Sequence, residues 1–467
     1  LSPTGNIETI FRRFGWLLNI ACMLYMYYSN LILVDRSVLA DTLIWFGSLF
    51  VIGTTFYTTI GRSSYTHLAI LIASNLVIGV GVFQFVAVGF WLSSAVSLGA
   101  LIIASLDRRA QGAPLLTSEA AVVGTAVYLA VWGAMLHFTV NYQAIFMILS
   151  FLPCLLILKD YAKIIGEVSS TANAVRSWVH SMPFWAWGSG LAVLGWVFRW
   201  SSYPTVGFDD HALHLRMWTE LYSQHYYSFN ISRQIWAVAP FAVDLLHSGM
   251  SMIAGTDARS AMNLAMGALL LTLMASILRR WTIPVWSQWT LIILMASTPL
   301  FGYLLMTLQT ELFLAAIALA GVKTIFDAKS GVRGKHLLSV LACASISTAT
   351  KLPGVILGAS LLISFALQLW DQKRAVLHAC FSLRWPTLWL LVPLGFTAAH
   401  SYWIAWTLTD NPFFPLYNGI FRSPHLEAVN FSNPNFTHDF GFVTFVKAFF
   451  KRRNFSSPKT MLRVGNI

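Results

Sequence analysis

Charge is scarce in this chain, so the stretch that concentrates it stands out. Residues 201–236, SSYPTVGFDDHALHLRMWTELYSQHYYSFNISRQIW, hold Asp209, Asp210, His211, His214, Arg216, Glu220, His225 and Arg233. Three other polar segments interrupt apolar sequence: Gln309-Thr310-Glu311, Thr350-Lys351-Leu352-Pro353 and Asp410–Pro424, DNPFFPLYNGIFRSP. A loop carboxylate can act as general base on an acceptor hydroxyl. Nearby cations can stabilise a phosphate whose charge grows as the bond to it breaks. Such a set suits sugar transfer from a lipid-phosphate donor, because a phosphate departs without the protonation a sugar alkoxide needs. One carboxylate then suffices. Asp209 or Asp210 is the expected base, with His214, Arg216, Arg233 and Lys351 as phosphate partners. Blander roles compete. Asp209-Asp210 suits a helix cap before His211, His214 and Arg216 suit a solvated helix face, and Glu311 and Lys351 suit snorkelling charges at span ends. His211, His214 and Asp209/Asp210 match no tight metal-ligand spacing, so no metal ligand is assigned. A divalent cation, Mg or Mn, bridging an acid to a donor phosphate is left open.

The elements that must position these residues are membrane spans. Of 467 residues, 57% are hydrophobic and only 10% are Asp, Glu, Lys or Arg, against about 25% charged in soluble domains. Mean hydropathy is +0.66. The 19 Trp and 33 Phe suit interfacial aromatic belts. With about 20 apolar residues per crossing, spans are expected near 14–34, 38–60, 68–87, 89–106, 119–140, 143–158 and 184–200. A second group is expected near 261–278, 284–306, 312–326, 337–350, 354–370 and 386–407. The expected fold is an all-α polytopic transmembrane bundle of about thirteen spans. The short apolar segment 237–255, broken by Pro240, Asp244 and His247, reads as an amphipathic helix lying at the interface. Cys22, Cys154, Cys343 and Cys380 form no CxxC pair and read as packing residues.

Alternate connections carry the cations: Arg12-Arg13, Arg62, Arg108-Arg109, Lys159/Lys163/Arg176, Arg279-Arg280, Lys329/Arg333/Lys335 and Lys373-Arg374/Arg384. The positive-inside rule makes those cytoplasmic, with the N-terminus. All four polar segments then share the extracytoplasmic face. Cations at Lys447, Lys451, Arg452 and Arg453 fall on that face too, against the rule. The net charge of +12 reads as anchoring on anionic lipid and not as nucleic-acid binding. Residues 1–183 read as a plain N-terminal bundle of about six spans, a surface for a membrane-protein partner. Residues 184–410 read as the catalytic module with its extracytoplasmic loop at 201–260, and 411–467 as an extracytoplasmic tail, truncated relative to what would be expected beyond it.

Residues 184–435 resemble the GT-C superfamily of membrane glycosyltransferases, in particular bacterial members that use polyprenyl-phosphate sugars. The resemblance rests on Phe208-Asp209-Asp210 followed by His214, on Gln234-Ile-Trp-Ala-Val-Ala-Pro240 leading into Phe241-Ala-Val-Asp-Leu-Leu-His247, on Ala349-Thr350-Lys351, and on Asn411-Pro-Phe-Phe-Pro-Leu-Tyr-Asn418 with Phe421-Arg-Ser-Pro424. It implies a GT-C-like fold, a loop acid as catalytic base and inversion at the anomeric carbon. It adds Gln234, Asp244 and Glu311 to the substrate-binding candidates. The donor would be a polyprenyl-phosphate sugar and the acceptor a glycan, a lipid or a protein. The setting would be cell-envelope or surface-polysaccharide synthesis at a bacterial inner membrane. Two features depart from the family: about six spans precede the loop, and the chain ends soon after the NPFFP block. A polysaccharide polymerase or ligase would rely on paired Arg or His in large loops instead. A lipid-linked oligosaccharide flippase would place polar groups at mid-bilayer, in broken helices with internal repeats.

Overall fold

Two Ala-x-x-x-Gly pairs explain the tightest helix contact. In the computed structural model, helices α1 (Val82–Leu106) and α2 (Ser118–Met135) meet where Ala95 and Gly99 face Ala120 and Gly124. A Cβ on Gly99 would lie 1.9 Å from the Ala120 carbonyl oxygen, and one on Gly124 1.8 Å from that of Ala95. Only small residues permit such approach, which is how helices pack where water does not drive them together. The structure describes residues 80–106, 114–181, 209–370 and 385–430, with the single positions 193, 197, 200, 201 and 207. The expected spans at 14–34 and 38–60, most of those at 68–87 and 184–200, Phe208, Cys22, Cys380 and the basic tail lie outside the described residues.

The described residues are helical, with no strand among them. After α2 come α3 (Gln143–Leu156), a 3₁₀ segment (Ile157–Asp160) and α4 (Tyr161–His180). A π turn (Asp210–His214) leads into α5 (Leu215–Gln224). Then follow α6 (Ala242–Ala254), α7 (Arg259–Arg280), α8 (Val285–Ala296), α9 (Pro299–Met306), α10 (Glu311–Ala328) and α11 (Gly334–Thr350). The last are α12 (Leu352–Gln368), α13 (Trp385–Thr409) and the short α14 (Asn418–Phe421).

Four of these stretches are long and apolar enough to cross a membrane: Val82–Ser105, Ser118–Met135, Gln143–Trp178 and Arg259–Arg280. Exposed Trp389 and Trp406 stand on α13, seventeen residues and about 26 Å apart along the helix, close to the depth of a hydrocarbon core.

Several sequence expectations change. The split at 87/89 is absent, because α1 runs unbroken from Val82. The expected loop after 158 is helix, since Gln143–Trp178 forms one 36-residue helical stretch. The expected span 284–306 is bent by 57° between α8 and α9, where Thr298 caps α9 by accepting the Phe301 N–H at 3.2 Å. The break at Lys351 is real: its backbone is extended (φ −165°, ψ 153°). There α11 and α12 fold back tightly enough that a Cβ on Gly354 would meet the Ser347 carbonyl at 1.9 Å.

The largest correction concerns 237–255. Helix α6 does not lie at an interface; from Ala242 to Ile253 all but Asp244 are buried. Gly249 leaves room for the Trp132 indole, whose ring a Cβ there would meet at 2.1 Å. Trp132 in turn packs on Trp91, Tyr128 and Phe146. One core therefore joins α1–α3 with α6, α11 and α13, and the expected boundary near 183 is not a packing boundary among the described residues.

Helix ends gather at two poles. At one, Glu119 faces Lys335 at 3.9 Å, and Asp327 pairs with Arg280 and with Lys323. At the other lie the π turn, the starts of α7, α10 and α12, and the folded segment after α13. Of the basic connections, Arg279-Arg280 and Lys329/Arg333/Lys335 belong to the first of these poles.

Candidate functional site

The π turn is held from below. Asp210 is 0% exposed, and its Oδ1 accepts the Leu308 N–H at 3.0 Å. Leu308 follows α9, whose last carbonyls need donors of their own. Arg259 supplies one by donating to the Met306 carbonyl. One turn along α7, Asn263 donates to the carbonyls of Leu304 (3.2 Å), Leu305 (3.0 Å) and Thr307 (2.6 Å). Arg259 also lies within electrostatic range of Asp210. Asp210, Arg259 and Asn263 thus lock the π turn, α7 and the end of α9 into one unit.

Asp209, one residue earlier, is exposed and makes no hydrogen bond or ion pair among the described residues. The partly exposed Tyr303 lies within electrostatic range of Asp209, Asp210 and Glu311, which brings the first and second polar segments together. Glu311 opens α10 and meets Lys351 at 2.6 Å, with both side chains close to half exposed. The other Glu311 oxygen, Oε2, is buried without a hydrogen-bond partner, as is the Thr310 hydroxyl. The third segment therefore joins the second through an ion pair.

The remaining predicted residues divide. His214 Nδ1 lies 2.6 Å from Asp244 Oδ1, tying the π turn to α6. Burial pushes the imidazole pKa down, but the charge and hydrogen bond of Asp244, helped by Asp210 and Asp209, outweigh it and hold the pKa at about 9. His214 is therefore an imidazolium at neutral pH. Gln234 braces the same turn by donating to the Ala212 carbonyl at 3.0 Å. Arg216 is committed to the loop: its Nε donates to Glu220 at 2.7 Å, and its other nitrogens reach the Asn230 carbonyl and Ser228. Burial pushes the Glu220 carboxyl up, but Ser228 and Arg216 more than offset this and leave it below the usual carboxylate range. Arg233 is exposed, and its guanidinium has no partner among the described residues.

Tyr303, Arg259 and Asn263 escape the sequence reading as site residues. Arg259 and Asn263 stand four apart at the head of an otherwise apolar helix, a visible sign that one face caps something. The pair His247–Asp257, 2.7 Å apart, anchors α6 to the entry of α7. Burial pushes Asp257 up, and His247 and Arg259 bring it down to about 2.

Residues 410–430, which follow α13, are folded. Asn411 donates to the Leu416 carbonyl at 2.8 Å, and Asn418 to the carbonyls of Leu426 (3.0 Å) and Glu427 (2.8 Å). Phe413 rests against Tyr402, whose hydroxyl donates to the Thr348 carbonyl at 2.8 Å, three residues from Lys351. The fourth polar segment thus reaches the same pole. Among the described residues no three His, Cys, Asp or Glu side chains converge as a metal cage. No protein family, curated protein or solved structure matches the chain.

Proposed function

We propose that this chain is a polytopic membrane glycosyltransferase of the GT-C kind, with about thirteen spans. On this reading it moves a sugar from a polyprenyl-phosphate donor to a glycan, lipid or protein acceptor at the extracytoplasmic face of a bacterial inner membrane, in envelope or surface-polysaccharide synthesis. The observation that carries the reading is the contrast at Asp209-Asp210: an exposed, unengaged carboxylate beside a buried one that pins its turn, near the Glu311–Lys351 pair.

Asp209 is then the base. It takes the proton from the acceptor hydroxyl as that oxygen attacks the anomeric carbon. The bond from that carbon to the phosphate oxygen breaks, and its electron pair leaves with the lipid phosphate. Attack opposite the leaving group inverts the anomeric centre. Lys351 exchanges Glu311 for the phosphate, and Arg233 adds a second cation. His214, Asp244 and Gln234 position the turn, and Arg216 shapes the loop. A divalent cation, Mg or Mn, would bridge an acid of this pole to the donor phosphate; transfer measured in EDTA, with and without added Mg or Mn, tests that role.

The test is incubation of the purified chain in liposomes with a panel of polyprenyl-phosphate sugars and a lipid-linked glycan acceptor. Donor consumption with an inverted glycosidic product supports the reading. Movement of an intact lipid-linked glycan across the bilayer, without new bonds, overturns it.

A further inference from the structure

The stretch Gln143–Trp178 is 36 residues long, about 54 Å at 1.5 Å per residue, against a hydrocarbon core of about 30 Å. Its second half cannot lie in the core together with its first. That half, α4, touches the bundle at Glu167 and at Trp178. Both Glu167 oxygens accept the Leu115 N–H, at 2.9 and 2.8 Å, and Oε2 also accepts the Leu116 N–H at 2.8 Å, just before α2. Eleven residues on, Trp178 stacks on Trp289 of α8 at 3.8 Å, beneath the Arg279 guanidinium. The start of α2 and the α7–α8 junction are at the same pole, so α4 touches that pole at two points about 17 Å apart along the helix.

α4 is exposed over most of its surface, and one of its faces is apolar. Tyr161, Ile165, Val168 and Val175 are 59%, 48%, 52% and 50% exposed. With Ala172 they repeat at alternating steps of four and three, one helix face. The stripe also continues the exposed face formed by Met147, Phe151 and Leu155 of α3 and Leu158 of the 3₁₀ segment. The 3₁₀ segment makes this continuity: at 3.0 residues per turn in place of 3.6 it adds about 20° per residue, or about 80° over four residues. That rotation brings the α4 stripe into line with the outward face of α3. Exposed Lys159 and Arg176 sit at its two ends, and Ser169 and Asn173 occupy the adjoining polar face.

We propose that α4 is a membrane-surface anchor, lying in the headgroup layer of the leaflet at the Glu119 pole. Ile165, Val168 and Val175 dip into the acyl boundary, and Lys159 and Arg176 hold anionic phospholipid headgroups. The surrounding lipid is the occupant because the stripe is one surface with the outward face of α3, and because cations flank it. This rests on the membrane reading alone and is independent of the transferase chemistry.

The test places single nitroxide-labelled cysteines at Ile165, Val168 and Asn173 in the full chain, with native cysteines replaced. The protein is held in nanodiscs of phosphatidylglycerol and phosphatidylcholine, or of phosphatidylcholine alone. Collisions with oxygen should exceed those with a water-soluble nickel chelate at 165 and 168, with the reverse at 173. Arg176→Glu should raise chelate access at 168 at least twofold in the anionic discs only. Equal chelate access at all three positions overturns the proposal. So does shielding of 165 and 168 from both reagents already in detergent, which means that protein covers the stripe; spin–spin broadening would then identify a second copy. A retained transferase activity alongside either result would leave the chemistry standing and the anchor refuted.

Discussion

The two poles of the bundle use charge in opposite ways. At the Glu119 pole the acids are engaged and the surplus is cationic: Asp327 takes both Arg280 and Lys323, Glu119 faces Lys335, Glu167 is spent on the backbone ahead of α2, and Lys159 and Arg176 stay exposed. At the Asp209 pole, not every acid is engaged. Asp210, His214, Asp244 and Arg216 are engaged, but among the described residues Asp209 and Arg233 are exposed and unpaired, and Glu311 Oε2 is buried without a donor. Cheap surface pairs need no function. A scaffold that pins one acid while its neighbour stays open is harder to explain as stabilisation, and a π turn inside a helix is a recurrent mark of functional sites.

The comparison can be broken or sharpened at graded strength. The largest effect is expected at Asp209: Asp209→Asn should lower transfer by about 10²–10⁴-fold, the range for a general base, while thermal unfolding in detergent stays unchanged. Asp210→Ala should do the reverse first. Leaving the Leu308 N–H buried and unpaired costs about 1–3 kcal/mol, visible as a lower unfolding temperature before any assay of activity. Lys351→Ala should change stability by no more than about 1 kcal/mol, as befits a half-exposed pair, yet raise the donor KM about tenfold or more through loss of a charged phosphate contact. Arg280→Ala, at the opposite pole, should shift stability by less than about 1 kcal/mol and leave transfer unaltered. A loss of transfer there would erase the distinction between the poles.

The His214–Asp244 pair predicts a pH dependence with a definite sign. The folded imidazole titrates at about 9, above its unfolded value of about 6.5. Its contribution is complete below the unfolded value and is lost as pH rises from there through the folded value. The unfolding temperature should therefore decline between about pH 6.5 and 9. Asp244→Asn should flatten that decline.

Much of this architecture is legible in the sequence. Scarcity of charge announces long apolar helices, and the basic connections at Arg279-Arg280 and Lys329/Arg333/Lys335 already set the end of the bundle holding Arg280 and Lys335 apart from that holding Asp209 and Lys351. The break at Lys351 is legible from Lys351-Leu-Pro-Gly354. What is not legible has a common cause: partners distant in sequence. Asp244 and His247 make α6 look amphipathic and interfacial, but their partners His214 and Asp257 let the helix be buried with its polar groups satisfied. Asp209 and Asp210 are the same residue type side by side, and only Leu308, nearly a hundred residues on, separates their roles. Lys159, Lys163 and Arg176 suggest a loop wherever charge is equated with solvent, whereas α4 carries its charge on the faces beside an apolar stripe.

The most direct test of the central claim is a single-turnover measurement. Liposome-reconstituted wild type, Asp209→Asn and Arg280→Ala would each be mixed with a radiolabelled polyprenyl-phosphate sugar and acceptor, after their unfolding temperatures are shown to agree. Transfer in wild type and Arg280→Ala, with its loss in Asp209→Asn, is the predicted result. Equal transfer by Asp209→Asn and wild type would contradict the assignment of Asp209 as the base and, with it, the functional distinction between the two poles.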